Sequence, residues 1–472
     1  MRKTKLLFLL TVLLGGATSA WAYSEYTDDS GILWKLENGT ARVMDTSGAQ
    51  GAVYIPEIIT YMGKEYTVTN FISSPISFTG NTKITSFRSD CDFTSGVDGF
   101  MGCTNLVSVQ ADKWTTVPLR CFKGCMSLKT ASFNSATSIS YDAFDACTSL
   151  ESIACEAVTE LGAMAFYHCY KLKKFEGPNV TTIKDLSDYK GEVFADCDKL
   201  GYIYLPKYVA TDLTRNNRYK PFYGTPDNTI IYINSYTTAC DYNVVLCPDG
   251  GDRRCPDMRL YEGKDFSPKW NLNFYCKQIT YERQMTAGGI YTIFLPYDPP
   301  VMDEVKYYKL WKVSDGKFYF SEVSSPTRGM EYVVVCSQDV SNFDAYSPTF
   351  SLLITTSLPG GHRVNSTLIS YGTYTKRKQA GYYILQPGNK WQKTTAEDGD
   401  EVYIPPFRGY IEYTGSTSAT EMGTRFGDAT GLEAIVTCDE DGTEQWFDLQ
   451  GRRIDAPRKG MNIVNGKKVF IK

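Results

Sequence analysis

The sequence predicts a mainly β protein: a solenoid of 22-residue repeats with a parallel strand ladder, followed by β-sandwich domains. Three observations predict it. The phrase Phe-x-Gly-Cys-x-x-Leu recurs at a fixed period, and each copy is followed by an apolar alternation of period two. The second half of the chain strings strand-like runs between turn signals, with no helix-length periodic stretch.

The repeats set the frame. Their core positions are Phe100, Cys103 and Leu106; Phe122, Cys125 and Leu128; Phe144, Cys147 and Leu150; and Phe166, Cys169 and Leu172, with successive Phe residues 22 apart. Phe78-x-Gly80-Asn81 keeps the step of 22 with Asn in place of Cys, while Phe194, Cys197 and Leu200 arrive after 28. That longer step places an insertion of about six residues around 185–190. One coil cannot bury its apolar face alone, so Phe, Cys and Leu must stack on their equivalents in neighbouring coils. The repeat cysteines are expected to pack inward as small buried hydrophobes. After each Leu, runs such as Leu150-Ile153-Cys155 and Leu200-Ile203-Leu205 alternate as a strand does, giving one parallel strand per coil and a rise of about 4.8 Å.

These residues resemble the leucine-rich repeats of the bacterial BspA type, with the consensus Ala-Phe-x-Gly-Cys-x-x-Leu-x-x-Ile-x-Leu-Pro; Ala143-Phe144, Ala165-Phe166 and Leu205-Pro206 complete it. The resemblance covers roughly residues 31–232 and implies a surface protein that adheres to host matrix proteins or to other cells.

Taken in order, residues 1–22 read as a secretion signal: basic Arg2, Lys3 and Lys5, an apolar run from Leu6 to Leu14, and Ala20-Trp21-Ala22 as the cleavage site. The run is too short to span a membrane. No Cys stands at the junction, so no lipoprotein anchor is expected. Residues 23–70 form strands, and Ile55-Pro56 with Gly63 to Val68 resembles the opening cap of BspA-type solenoids. The solenoid proper spans 71–235, with a degenerate unit at Phe222-Tyr223-Gly224 expected to close it.

Residues 236–277 read as a Cys-, Pro- and Gly-rich connector. The spacing of Cys240, Cys247, Cys255 and Cys276 matches no zinc pattern; a disulfide of Cys247 with Cys255 is one reading and free thiols the other. Residues 278–430 read as a β-sandwich-like domain, with strands at 290–296, 331–335 and 382–385. The phrase from Ala287 to Pro296 resembles one found in Bacteroidetes surface proteins. Residues 431–472 are strands and turns in which Leu449-Gln450-Gly451-Arg452, Gly460 to Val464 and the Lys-rich end resemble a type IX secretion sorting domain. That resemblance implies a Gram-negative bacterium, passage through outer-membrane secretion machinery and a place on the outer-membrane exterior. A plain stabilising β-domain is the alternative.

The composition excludes some functions. With 49 Lys and Arg against 53 Asp and Glu the formal charge is −4, and removal of Arg2, Lys3 and Lys5 with the leader deepens it to −7, which argues against nucleic acid. No segment beyond the leader is apolar enough to cross a membrane as a helix. Only two His are present, His168 and His362, so His-based triads and His-rich metal sites are nearly excluded. Cys169 beside His168 occupies a buried repeat position, and no nucleophile elbow, P-loop or zincin motif is found. No enzyme activity, cofactor or metal is therefore expected.

Binding remains. The outward ladder positions lie two and four residues after each Leu: Ser86 and Arg88, Ser108 and Gln110, Thr130 and Ser132, Ser152 and Ala154, Lys174 and Glu176, Tyr202 and Tyr204. Arg88, Gln110, Thr130, Ser132, Ser152, Lys174, Glu176, Tyr202 and Tyr204 are the candidate ligand contacts. The late coils carry the Tyr and charge of a recognition patch, or else Tyr202 and Tyr204 cover the joint with the next domain. The expected partner is an extracellular protein or glycan. The alternatives are glycan or peptide capture by the β-sandwich and, third, an exported hydrolase.

Overall fold

The computed structural model describes residues 23–69, 77–92, 98–184, 191–216, 220–357, 360–378, 380–395, 403–415 and 419–427, together with short strands between 433 and 471. The leader, the expected insertion at 185–190 and most of the sorting-domain motif lie outside the described residues. The described residues contain no helix.

Each 22-residue coil carries two strands, not the single one expected. The first ladder stacks Gly51–Ile55, Ile84–Ser89, Ser108–Gln110, Thr130–Ser132 and Ser152–Ala154 in parallel. The second stacks Thr116–Val117, Ser138–Ile139, Glu160–Gly162 and Thr182–Lys184 on another side of the coil. The second ladder has its own mark in the sequence, Val117, Ile139, Leu161 and Ile183 at the same step of 22, but a single apolar residue per strand gives no alternation to read.

A column of Phe rings runs through the core. Phe78, Phe100, Phe122, Phe144, Phe166, Phe194 and Phe222 stack ring on ring at centroid spacings of 4.8, 5.1, 5.3, 5.4, 5.5 and 6.4 Å. Beside it stands a column of thiols with a duty beyond packing. Cys103, Cys125, Cys147, Cys169 and Cys197 each donate to the carbonyl of a Phe one coil back, at 3.0, 3.1, 3.1, 3.3 and 3.2 Å. Burial raises the Cys147 and Cys197 thiols above their ordinary pKa, so they stay protonated and able to donate. An alanine would leave a small void and remove one of the two bonds the carbonyl accepts, the other coming from a backbone N–H of its own turn, as from Cys125 N–H to Phe122 O at 3.0 Å.

The repeat Gly is a backbone requirement. Gly102 and Gly124 take φ of +75°, and the same position holds Ala146 at +59° and His168 and Asp196 at +58°. A left-handed residue bearing Cβ costs roughly 1–2 kcal/mol, and glycine gives back part of that through its freer unfolded chain. Ala146→Gly is accordingly expected to stabilise the fold by about 0.5–1 kcal/mol in urea denaturation.

The solenoid runs further than the sequence indicated. The Phe222 unit is a full coil, its strand Ile230–Ala239 pairing in parallel with Tyr202–Asp212. Residues 236–277 are not a connector: Val244–Leu246, Arg254–Tyr261 and Phe274–Met285 extend the same sheet. Turn residues between these strands masked them in the sequence. Closure comes from residues 340–354, where Val340–Asn342, Ala345–Tyr346 and Leu352–Ile354 lie antiparallel along Phe274–Met285. At the other end the cap is a sheet of Ser24–Thr27, Leu33–Glu37, Thr40–Asp45, Lys64–Val68 and Ile58–Tyr61 over buried Ile32, Trp34 and Leu36.

From Ile290 to Gly427 one long sheet folds over itself as a sandwich, mostly antiparallel, with Lys317–Val323 parallel to Glu421–Gly427. Its core places Phe318 against Tyr383 at 5.3 Å and Phe320 against Trp391 at 5.7 Å. Trp446–Phe447, Arg453–Ile454, Gly460–Val464 and Lys467–Ile471 form a separate four-stranded sheet.

Candidate binding surface

Register turns the outward positions of the first ladder into two straight rows. One carries Ser86, Ser108, Thr130 and Ser152, and the other Tyr54, Arg88, Gln110, Ser132 and Ala154. Lys174 and Glu176 pair in register with Tyr202 and Tyr204, which continue the rows after a gap in the ladder.

The second row is bonded within itself. Arg88 forms a two-pronged pair with Asp90 at 3.1 Å, and Asp90 also accepts the Tyr54 hydroxyl at 2.6 Å while Arg88 lies 5.1 Å from that ring. Gln110 and Ser132 both donate to Asp112, at 3.2 and 2.5 Å. The first row is open. The hydroxyls of Ser86, Ser108, Thr130 and Ser152 have no hydrogen-bond partner among the described residues, and Thr130 is exposed. The second ladder behaves differently: Thr137 and Thr159 donate their hydroxyls to the carbonyl one coil back, at 3.2 and 3.1 Å. On that side hydroxyls hold the coils together, whereas the first-row hydroxyls bond to no other described residue, Thr130 exposed and the three serines half-buried.

The late coils form a joint. Glu176 accepts from Lys269 at 2.6 Å, from the Tyr202 hydroxyl at 2.5 Å and from Lys174 at 3.0 Å. Lys269 also lies 4.7 Å from the Tyr204 ring, and its backbone N–H donates to the Tyr232 hydroxyl at 3.2 Å. Tyr202 and Tyr204 are half-buried against a core of Tyr232, Phe274, Tyr281 and Phe294 that runs from the last coils into the sandwich, so of the two sequence readings the joint is the one the geometry matches. Trp270, one residue beyond Lys269, is 59% exposed. Sequence reasoning passed over both Trp270 and Tyr54, which is 45% exposed. Tyr54 was legible, since it sits in register with Arg88; Trp270 was hidden in the segment read as a connector.

Burial opposes ionisation of Glu176, but the bonds from Lys269, Tyr202 and Lys174 outweigh it and lower its pKa from 4.5 to about 2. A carboxylate depressed in the folded state stabilises fully above its unfolded pKa and loses that contribution as pH falls through the folded one. Melting temperature should therefore fall between pH 4.5 and 2, and the gap between the native chain and Glu176→Gln should close across that window.

Two sequence expectations need correction or resolution. Cys247 and Cys255 are unbonded. The antiparallel register sets Leu246 opposite Arg254, so the two cysteines are not across from one another, and Cys255 instead stands in register with Cys276. His168 and Cys169 form no reactive pair: the thiol turns inward to the Phe144 carbonyl, while the imidazole lies 3.3 Å from Asp145 and 3.4 Å from Asp196. Among the described residues no group of three or more His, Cys, Asp or Glu is arranged to hold a metal ion. The sandwich has a small recess of about 10 Å³, room for one water, lined by Glu331 and Ser370 among others.

The repeats decide the family likeness. Residues 77–201 match the BspA type leucine rich repeat region, in six copies. Solved structures similar to this chain include a leucine rich cell surface protein from Faecalibacterium prausnitzii, at 18% identity and a TM-score of 0.29, over 50% of this chain and 64% of that one. A leucine-rich repeat protein from Bacteroides ovatus aligns at 18% identity and 0.27, over 52% and 59%. The leucine rich repeat protein of T. pallidum aligns at 17% identity and 0.28, over 47% and 86%. The chain thus spans less than two thirds of the first two. No curated protein matches it.

Proposed function

We propose that this chain is a secreted or cell-surface binding protein whose first ladder makes the contact, in an adhesive role toward host matrix proteins or other cells. The observation that carries the reading is the open row of Ser86, Ser108, Thr130 and Ser152, in register on a rigid sheet and bonded to nothing else described. The leader-like first 22 residues and the match to BspA type repeats support an exported, surface-type protein. Extended solenoid faces of this kind are where such proteins bind.

The Tyr pair enters differently from the sequence expectation. Tyr202 and Tyr204 serve the joint, and the contacts proposed for a partner are Arg88, Gln110, Thr130, Ser132 and Ser152, with Tyr54 and Trp270 added.

The test is binding of the chain from residue 23 onward to an array of matrix proteins and glycans and to whole cells. Saturable binding to a partner, weakened by Arg88→Ala paired with Tyr54→Ala, is the expected result. Binding unchanged in that variant and equal in residues outside the ladder would reject the reading.

A further inference from the structure

We propose that the ladder face takes a linear, uncharged glycan laid along the solenoid axis, with one sugar ring stacked on Trp270. The inference rests on the reading of this face as the binding surface and names the chemistry of its ligand.

Four features of the face point to a sugar chain. The first is charge. Arg88 is paired with Asp90 and nearby Lys113 with Glu57 at 3.3 Å, while Lys174 and Lys269 share Glu176 and the Asp112 carboxylate is held by neutral Gln110 and Ser132, so the charges beside the rows sum to zero. A face with no net charge complements a neutral ligand, and a sulfated or uronic polymer would gain little from it.

The second feature is composition. The open row is Ser86, Ser108, Thr130 and Ser152, four short hydroxyl side chains bonded to no other described residue. A hydroxyl both donates and accepts, so a row of them suits a ligand that is itself a row of hydroxyls.

The third is spacing. The ladder advances about 4.8 Å per coil, close to the advance per ring of an extended chain of linked hexopyranoses. Up to the joint, the row Tyr54, Arg88, Gln110, Ser132 and Ala154 spans roughly 19 Å at that rise, the length of about four rings, and the turn that carries Trp270 lies beyond it.

The fourth is the pair of aromatic ends. Tyr54 stands at the start of the row, its hydroxyl held by Asp90. At the other end Trp270 is carried on a turn that is bonded on every side. Leu272 N–H donates to Lys269 O at 3.3 Å and to Thr356 Oγ1 at 2.9 Å. Ser357 Oγ donates to Asn271 Oδ1 at 2.5 Å, and Thr356 N–H to Asn273 Oδ1 at 2.9 Å. Lys269 anchors the same turn onto Glu176. An indole left 59% exposed on so fixed a turn is a flat apolar platform that needs no ordering when a ring settles on it.

The experiment is titration calorimetry of the chain from residue 23 onward with neutral β-1,4-linked hexamers of glucose, xylose and mannose, and with the matching dimers. One hexamer should bind at least tenfold more tightly than its dimer. Trp270→Ala should weaken it at least tenfold while the melting temperature holds. Thr130→Arg, in the middle of the open row and remote from the turn, should remove it, so the test survives a failure of the Trp270 variant to fold. If no neutral hexamer binds while matrix proteins or cells bind through the ladder, the glycan inference falls and the binding reading stands. If neither class binds, both fall. A hexamer that binds no better than its dimer and ignores both substitutions also overturns the inference.

Discussion

Phe144→Ala should cost about 3–5 kcal/mol, among the largest losses available to a single substitution in this chain. Phe144 is fully buried and stacks on Phe122 at 5.3 Å and Phe166 at 5.4 Å, so its removal opens a void that two neighbouring coils share. A solenoid is held by interactions between nearest neighbours, and a gap in the middle uncouples the coils on either side. Urea denaturation followed by far-ultraviolet dichroism should show a lower midpoint and a broader transition. A cost below about 1 kcal/mol would mean that the Phe column is not the spine of the fold.

The second large effect is expected at the junction of ladder and sandwich. Glu262 accepts from the Tyr281 hydroxyl at 2.6 Å, pairs with Arg408, and lies 3.9 Å from Arg283. Burial, with Arg408 nearby, lowers the Arg283 pKa from 12.5 to about 10, and its Nη1 donates to the Thr292 carbonyl at 2.7 Å. Removing the acid leaves a buried guanidinium without its counter-charge. Glu262 is itself more than a third exposed, so solvent takes up part of the loss. Glu262→Ala is expected to cost about 2–3 kcal/mol and to separate the unfolding of the two units into distinct transitions. Calorimetry would check this, and a single unshifted transition would show that the junction does not couple them.

The legible part of the structure is the part that repeats. Phe, Cys and Leu at a step of 22 set the coil, its inward face and the register that aligns Ser86 with Ser108, Thr130 and Ser152. The second ladder was harder to read, because each of its strands offers one apolar residue, Val117, Ile139, Leu161 or Ile183, at the step of 22, without the Leu-x-x-apolar-x-apolar run that marks the first. Val244–Leu246 and Arg254–Tyr261 were lost for another reason: Pro, Gly and Asp between them read as loop, while pairing with a neighbouring coil makes them strands. The role of the repeat Cys as donor to a carbonyl one coil away has no sequence signal, since a buried thiol and a buried methyl occupy similar patterns. Lys269 reaches Glu176 on the ladder from a turn far along the chain, a contact that only the fold supplies.

The measurement that bears most directly on the ladder face is a pair of matched substitutions. Thr130 and Thr159 are both exposed threonines of the solenoid, one on the open row of the first ladder and one beside the second ladder, where its hydroxyl supports the coil before it. Thr130→Arg and Thr159→Arg would each be titrated with whichever partner the chain binds on the array. Loss of binding in Thr130→Arg, with Thr159→Arg binding as the native chain does, is the predicted result. Full binding by Thr130→Arg would place the contact elsewhere and contradict the account.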